Sequence, residues 1–367
     1  MSNLNVGKLL ASVGVKLPSF TNANRPSGES GLIIFNSQEG TVQVHDGTQW
    51  INVGTSRLSV TSSGTVLTYT SGSDNWLVFS GPGSFTVSGG GSADILVVGG
   101  GGGGSVPYGG GGGAGGVIYY PSAPLTTGLY NVSVGTGGTG RPSNPGDAAP
   151  HGAAPGTQST ITGTLSLTAL GGGRGGGWQF LAEDGGSGGG GRGNGPSPGG
   201  SGTQTTNPTI PALSRQYGYG NRGGNTSVDE YGAGGGGAGG AGQDLSGGIG
   251  GNGYQVPTAF LPTNVPLAFQ NALGGIPATG PYSEHWRYFG AGGSSDPRGP
   301  GTDGIGLGGG GSRQLDPVGG WSFLGAPFGY QPMDAVNGRG SGAGSGNSSP
   351  LDWGDGGDGI VIIKYTV

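Results

Sequence analysis

Short apolar runs separated by polar turns open the chain. Leu32-Ile33-Ile34-Phe35 and Thr41-Val42-Gln43-Val44-His45 are rich in β-branched residues, and the polar stretch between them ends in Gly40, as a hairpin turn favours. Asp46-Gly47 makes a second turn before Trp50-Ile51-Asn52-Val53. These runs predict a small β-meander as the core of an N-terminal module, residues 1–56. Its apolar positions Leu32, Ile34, Val42, Val44 and Trp50 are more than ~50 residues can bury alone, so a further surface is expected to cover them.

Residues 57–98 read as a strand lead-in, with Val66–Thr70, Trp76–Phe79, Ser84–Val87 and Ile95–Val98 each bounded by Gly, Pro or Asp. The chain closes on Ile360-Val361-Ile362-Ile363-Lys364-Tyr365, another strong strand signal. Nowhere does a 3.6-residue apolar period persist, so little α-helix is expected. The predicted fold class is mainly β and irregular.

After Val98 the pattern changes. Only 14 of the 97 glycines precede residue 99, and beyond it blocks such as Gly99–Gly104 alternate with loops of Pro, Asn, Ser and aromatic residues. Tyr108-GGGGGAGG-Val117 returns as Tyr231-GAGGGGAGG-Ala241, with a fainter echo at 288–293, as stacked equivalent segments would. Glycine makes up about a quarter of the 367 residues, against ~7% in ordinary proteins. Other apolar residues reach 31%, thin for a conventional enzyme core. The block pattern excludes collagen, which needs glycine at every third position.

An ordered glycine chain must draw its stability from backbone contacts. An α-helix of glycine is poor by ~1 kcal/mol per residue. An extended polyproline II-type helix, with three residues per turn and ~3.1 Å rise, leaves every N–H and C=O free for neighbours. Residues 99–367 are therefore expected to form a bundle of polyglycine II helices with long connecting loops at its ends.

Charge and cysteine narrow the chemistry. Net charge is −5 with three lysines (Lys8, Lys16, Lys364), so no basic surface invites nucleic acid. No cysteine supplies disulfides or thiolate ligands. The apolar runs are far short of a ~18-residue membrane span, and Leu9–Val15, broken by Gly14, makes a poor signal peptide. A Walker A loop needs a lysine, and none lies between Lys16 and Lys364. His45, His151 and His285 are scattered, no nucleophile elbow sits in a strand-to-helix turn, and no paired carboxylates stand out. Asp352–Gly359 is one copy of a Gly/Asp pattern that needs tandem copies to build a calcium roll, and reads as turns. The expectation is a non-enzymatic chain with no catalytic, cofactor or metal site.

The loops carry the remaining signal. Rings such as Trp178, Phe180, Tyr254 and Phe260 are set among Gly, Ser, Asn and Pro, the composition of recognition loops. The candidate contact residues are Tyr217, Tyr219, Tyr282, Trp286, Arg287, Tyr288, Trp321, Phe328 and Tyr330. About half of all loop rings are expected to pin loops to the scaffold instead.

The stretch Leu17–Thr21, Arg25-Pro26, Gly31–Asn36 and Val42–Trp50 resembles a module of tail-fibre and other structural proteins of tailed bacteriophages, common in phages of marine cyanobacteria. The remainder is similar to the glycine-rich domain of phage fibres and adhesins, through Phe85–Gly89, Ile95–Val98 with its glycine block, Tyr130–Gly135 and Gly356–Tyr365. The resemblance implies a virion fibre or adhesin, assembled in the host cytoplasm and exposed on the particle. Residues 1–54 would join other virion proteins and build a homo-oligomer, expected to be a trimer. Distal loops of the polyglycine II domain would meet a host-surface glycan or outer-membrane protein. A head or neck appendage without a receptor role is the alternative. An ice-binding protein is the rival from another class, opposed by the irregular aromatic loops.

Overall fold

The computed structural model describes residues 16–53, 58–106, 108–142, 153–204, 218–227, 232–244, 248–262, 265–274, 286–295, 310, 334–335, 337–345 and 354–367. The architecture is mainly β, and the one described α-helix, α1 (Leu267–Ala272), has six residues.

The N-terminal sheet runs β1 (Ser19–Phe20), β2 (Ile33–Asn36), β3 (Thr41–His45), β4 (Trp50–Val53), with β1 parallel to β2 and the rest antiparallel. Its register puts Ile33, Phe35, Val42, Val44, Ile51 and Val53 on one face. Ile34, Asn36, Gln43 and His45 point the other way and are buried. Trp50 faces the same side, its ring edge-on to His45 at 5.1 Å. The expected apolar set thus divides: Ile34 and Trp50 turn inward, while Val42 and Val44 lie on the opposite face with Ile33, Phe35, Ile51 and Val53, because strand parity sends neighbouring residues to opposite faces.

The buried face is the polar one because the segment before β2 folds over it. Asn36 Nδ2 donates to Asn22 Oδ1 (2.6 Å) and Gln43 Oε1 (3.1 Å), and Gln43 Nε2 donates to Asn52 Oδ1 (2.6 Å) and Glu39 Oε2 (3.0 Å). Arg25 pairs with Glu39 at 3.0 Å. At Gly28 a Cβ would stand 2.0 Å from the His45 ring, so only glycine allows the chain to pass there.

The main sheet takes in β5 (Ser59–Ser71), β6 (Asp74–Ser88), β7 (Gly91–Val98), β9 (Val117–Leu125), β10 (Gly128–Ser133), β12 (Ser159–Thr162), β13 (Leu167–Ala169), β14 (Gly218–Tyr219) and β17 (Ile360–Thr366). Two short pairs lie apart: β8 (Ser105–Val106) with β11 (Arg141–Pro142), and β15 (Tyr254–Gln255) with β16 (Tyr288–Phe289). The order is β13-β12-β10-β6-β17-β7-β9-β14, with β5 also paired to β6. The lead-in 57–98 and the glycine-rich stretch therefore share one sheet. The Gly81-Pro82-Gly83 punctuation does not end a strand: it lies inside β6, opposite the register shift between Gly64 and Val66. A bulge is where a strand tolerates proline.

Both faces of the sheet are buried. Ile161 and Leu167 from one end join Ile95, Val97 and Ile118 from the other in a first core, so the sheet curls around it. The second core sets Trp76, Val78, Leu96, Val98, Val117, Ile360 and Ile362 against Phe260, Phe269, Trp286 and Phe289. The run Ile360–Ile363 serves both cores, which is why it is apolar without alternation.

Glycine segments leave this sheet as direct continuations of its strands. In 99–104 the backbone donors rotate over three neighbours: Gly99 and Gly102 to Gly116 and Gly113, Gly100 and Gly103 to Thr157 and Ala154, Gly101 and Gly104 to Gly357 and Gly354. Segment 110–116 repeats the rule. Gly110, Gly113 and Gly116 donate to Gly176, Gly173 and Leu170, Gly111 and Ala114 to Ala233 and Gly236, and Gly112 and Gly115 to Ala343 and Gly340. Its carbonyls accept from Gly99 and Gly102, from Ser187 and Gly190, and from Gly293, so six other segments surround it. A Cβ at Gly112 would stand 2.1 Å from Gly102 O and 3.0 Å from the Ala343 nitrogen.

At the rim of the bundle, side-chain oxygens replace the missing neighbour. Asp358 Oδ1 accepts from Gly137 N (2.8 Å), Asp355 Oδ1 from Gly140 N (2.7 Å) and Gln204 Oε1 from Leu170 N (2.7 Å). Glycine fills the centre and Asp and Gln finish the edge, as the satisfaction of buried backbone donors requires.

Candidate functional site

The bundle has two unlike ends. Gly99, Gly116, Leu170 and Gly359 meet at the sheet end, where the strands begin. Gly104, Gly110, Gly176 and Gly354 lie at the far end, six or seven residues along their segments.

A cluster of rings caps the far end. Tyr108 stands between the first two glycine segments, and its ring lies 5.8 Å from that of Trp178. Gly177 and Phe180 exchange backbone hydrogen bonds of 3.0 Å, closing a tight turn that presents Trp178. The Arg174 guanidinium lies over Phe180 at 5.2 Å and pairs with Glu183 at 2.9 Å. Arg192 Nη1 donates to the Trp178 carbonyl (2.9 Å), and Gly193 N to that of Tyr108 (2.8 Å). Tyr108 has φ +53°, strained for a residue with a side chain, which its neighbours hold in place. Leu181 is 53% exposed beside the half-buried rings. Rings flanked by guanidinium groups can stack on a flat, partly apolar ligand and pair with an anion on it.

The described candidates from the sequence gather instead at the sheet end. Tyr219, in β14, stacks on Tyr254 with centroids 4.0 Å apart, and Tyr254 lies 6.1 Å from Tyr119. Burial raises the phenol pKa of both Tyr119 and Tyr254. Trp286 is 4% exposed and belongs to the second core, so its ring is not at the surface. Arg339 packs against the same cluster: it donates to the carbonyls of Leu273 (2.6 Å), Trp286 (2.9 Å) and Tyr288 (2.9 Å) and lies over the Trp286 and Phe289 rings at 5.7 and 4.5 Å. Its complete burial brings the guanidinium pKa down to about 9. Arg287 reaches Thr258 Oγ1 at 2.9 Å, and Tyr288 is half-buried in β16. Tyr217, Tyr282, Trp321, Phe328 and Tyr330 lie outside the described residues.

Sequence reasoning ranks Trp178 and Phe180 among many loop rings and passes over Tyr108, Arg174 and Arg192. A signal was present: a glycine block that directly follows a strand runs away from the sheet, so the residues after 99–104 and 170–177 must surface at the far end.

Among the described residues no group of three His, Asp or Glu could hold a metal ion, and no helix is long and apolar enough to cross a membrane. A family model described as a glycine-rich domain matches residues 78–366. The chain belongs to this glycine-rich domain family. No curated protein matches it.

Proposed function

We propose that the protein is a non-enzymatic fibre or adhesin of a phage particle. Its N-terminal module joins the particle, its glycine segments are polyglycine II helices, and the far end of the bundle meets the host surface. Support for the helix assignment is the rotation of donors over three neighbours with a repeat of three residues. The observation that carries the attachment reading is the ring cluster Tyr108, Trp178 and Phe180 with Arg174, held at the end opposite the sheet. A rigid scaffold that lifts aromatic rings and guanidinium groups away from its own core suits a host-surface glycan or an outer-membrane protein.

Adsorption of the particle, or of the purified chain, to host cells tests this. Trp178→Ala with Phe180→Ala is expected to weaken binding at least tenfold, with the melting temperature held within a few degrees. Tyr219→Ala with Tyr288→Ala, at the sheet end, is the contrasting arm. If only that pair weakens binding, the contact face lies at the sheet end. Full binding by both variants would favour the appendage without a receptor role.

A further inference from the structure

The foot of the main sheet, at the end away from the bundle, holds a cavity of about 460 Å³. It opens where β7 begins and β17 finishes, and Leu58, Ser92, Asp94, Ser122, Lys364 and Tyr365 are among its walls. That volume lies within the ~300–1,000 Å³ of small-ligand sites. A bulge shapes one wall. The register with β9 shifts between Ala93 and Ile95, so Asp94 alone stands opposite Pro121 and Ser122. Ser122 sits at φ +50°, strained for a residue with a side chain, and its N–H donates to Asp94 Oδ1 at 2.8 Å.

The second Asp94 oxygen is unused, and no cation pairs with Asp94 among the described residues. Lys364 is its cross-strand neighbour on β17 but leans the other way, toward β6. Its Nζ pairs with Asp74 (2.9 Å), donates to the Ala259 carbonyl (2.7 Å) and lies over the Trp76 ring at 5.5 Å. A half-buried carboxylate therefore borders the cavity without a counter-ion. The hydroxyls of Ser92 and Ser122 beside it make no hydrogen bond with any described residue.

We propose that this cavity binds an amino sugar, its ammonium on Asp94 and its hydroxyls on Ser92 and Ser122. Charge selects the ammonium: a carboxylate half removed from water and unpaired favours a cation with N–H donors. The serine hydroxyls, each able to donate and accept, select a hydroxylated body over an apolar amine. The cavity lies at the opposite end of the sheet from the bundle, so the proposal stands whether or not the ring cluster meets a host.

Ligand-observed NMR titration of the full chain with D-glucosamine, D-glucose and ethylamine tests it. Glucosamine is expected to saturate near ~1 mM, the level a ligand of about a dozen heavy atoms reaches at ordinary efficiency. Glucose and ethylamine should each bind at least tenfold more weakly, and added salt should weaken the glucosamine complex. Asp94→Asn keeps an oxygen for the Ser122 N–H, so its melting temperature should not change. Its affinity for glucosamine should fall at least tenfold, to that for glucose. Ser92→Ala with Ser122→Gly, which suits the positive φ, should erase the advantage over ethylamine. Asp244→Asn, at an exposed acid elsewhere, should bind as wild type. Absence of saturation by glucosamine up to ~20 mM would overturn the proposal. So would equal binding of glucose or ethylamine, or an Asp94→Asn chain that binds glucosamine as wild type does.

Discussion

In the N-terminal sheet, side chains decide what is inside: a network of Asn, Gln, Arg and Glu fills one face and leaves Ile33, Phe35, Ile51 and Val53 exposed on the other. In the glycine segments the absence of side chains decides it. Segment 110–116 places its backbone against six others, and Gly112 has no room for a single carbon. Ordering a backbone costs ~1–2 kcal/mol per residue, about what one hydrogen bond returns net, while an unmade buried bond costs ~1–3 kcal/mol. A lattice of this kind is therefore stable only when nearly complete. The sheet can lose one contact and survive, but an interior glycine cannot gain one.

The sharpest test of that contrast is Gly112→Val. It should destabilise the body by about 4 kcal/mol or more, through overpacking and broken hydrogen bonds. Gly90→Ala, where nothing lies within 4 Å of the added carbon, should change stability by under about 0.5 kcal/mol. Equal melting temperatures in calorimetry would show that the lattice yields as side-chain cores do.

Next in size is Trp286→Ala, expected to cost about 3 kcal/mol as a large-to-small change in the second core. A chain with unchanged denaturant midpoint would return Trp286 to the surface.

The smallest effect belongs to acid. The hydrogen bond from Lys364 holds the Asp74 carboxyl below its usual pKa, and that from Arg222 does the same for Asp244. Both folded values are depressed, so their stabilisation is complete above the unfolded pKa near ~4 and is lost as pH falls through the folded ones. Asp74→Asn with Asp244→Asn should give a shallower fall in melting temperature below pH 4 than wild type. The bonds among the glycines carry no titratable group, so most of the bundle's stability should persist there.

Ile360–Ile363 announces itself as a central strand because a strand buried on both faces needs apolar side chains at every position. That the glycine blocks are held through their backbone was equally legible, since glycine has no side chain to offer. Which segment neighbours which was not. Gly102 pairs with Gly113 and Gly103 with Ala154 through backbone atoms alone, and no residue type marks that choice. The same gap hides the two ends of the bundle, so the sequence singles out Trp286 and leaves Trp178 among the other loop rings. Helix α1 escaped because six residues are too few to show a period.

The lattice around segment 110–116 also bears on temperature. Unfolding a conventional core exposes apolar surface, which raises heat capacity, whereas exposing peptide groups lowers it. A body whose centre is backbone should unfold with a heat-capacity change below the usual ~12–15 cal/mol/K per residue. Its stability curve is then broad and flat, and cooling, which weakens apolar burial, takes little from it. Such a scaffold holds its form across warm and cold water alike.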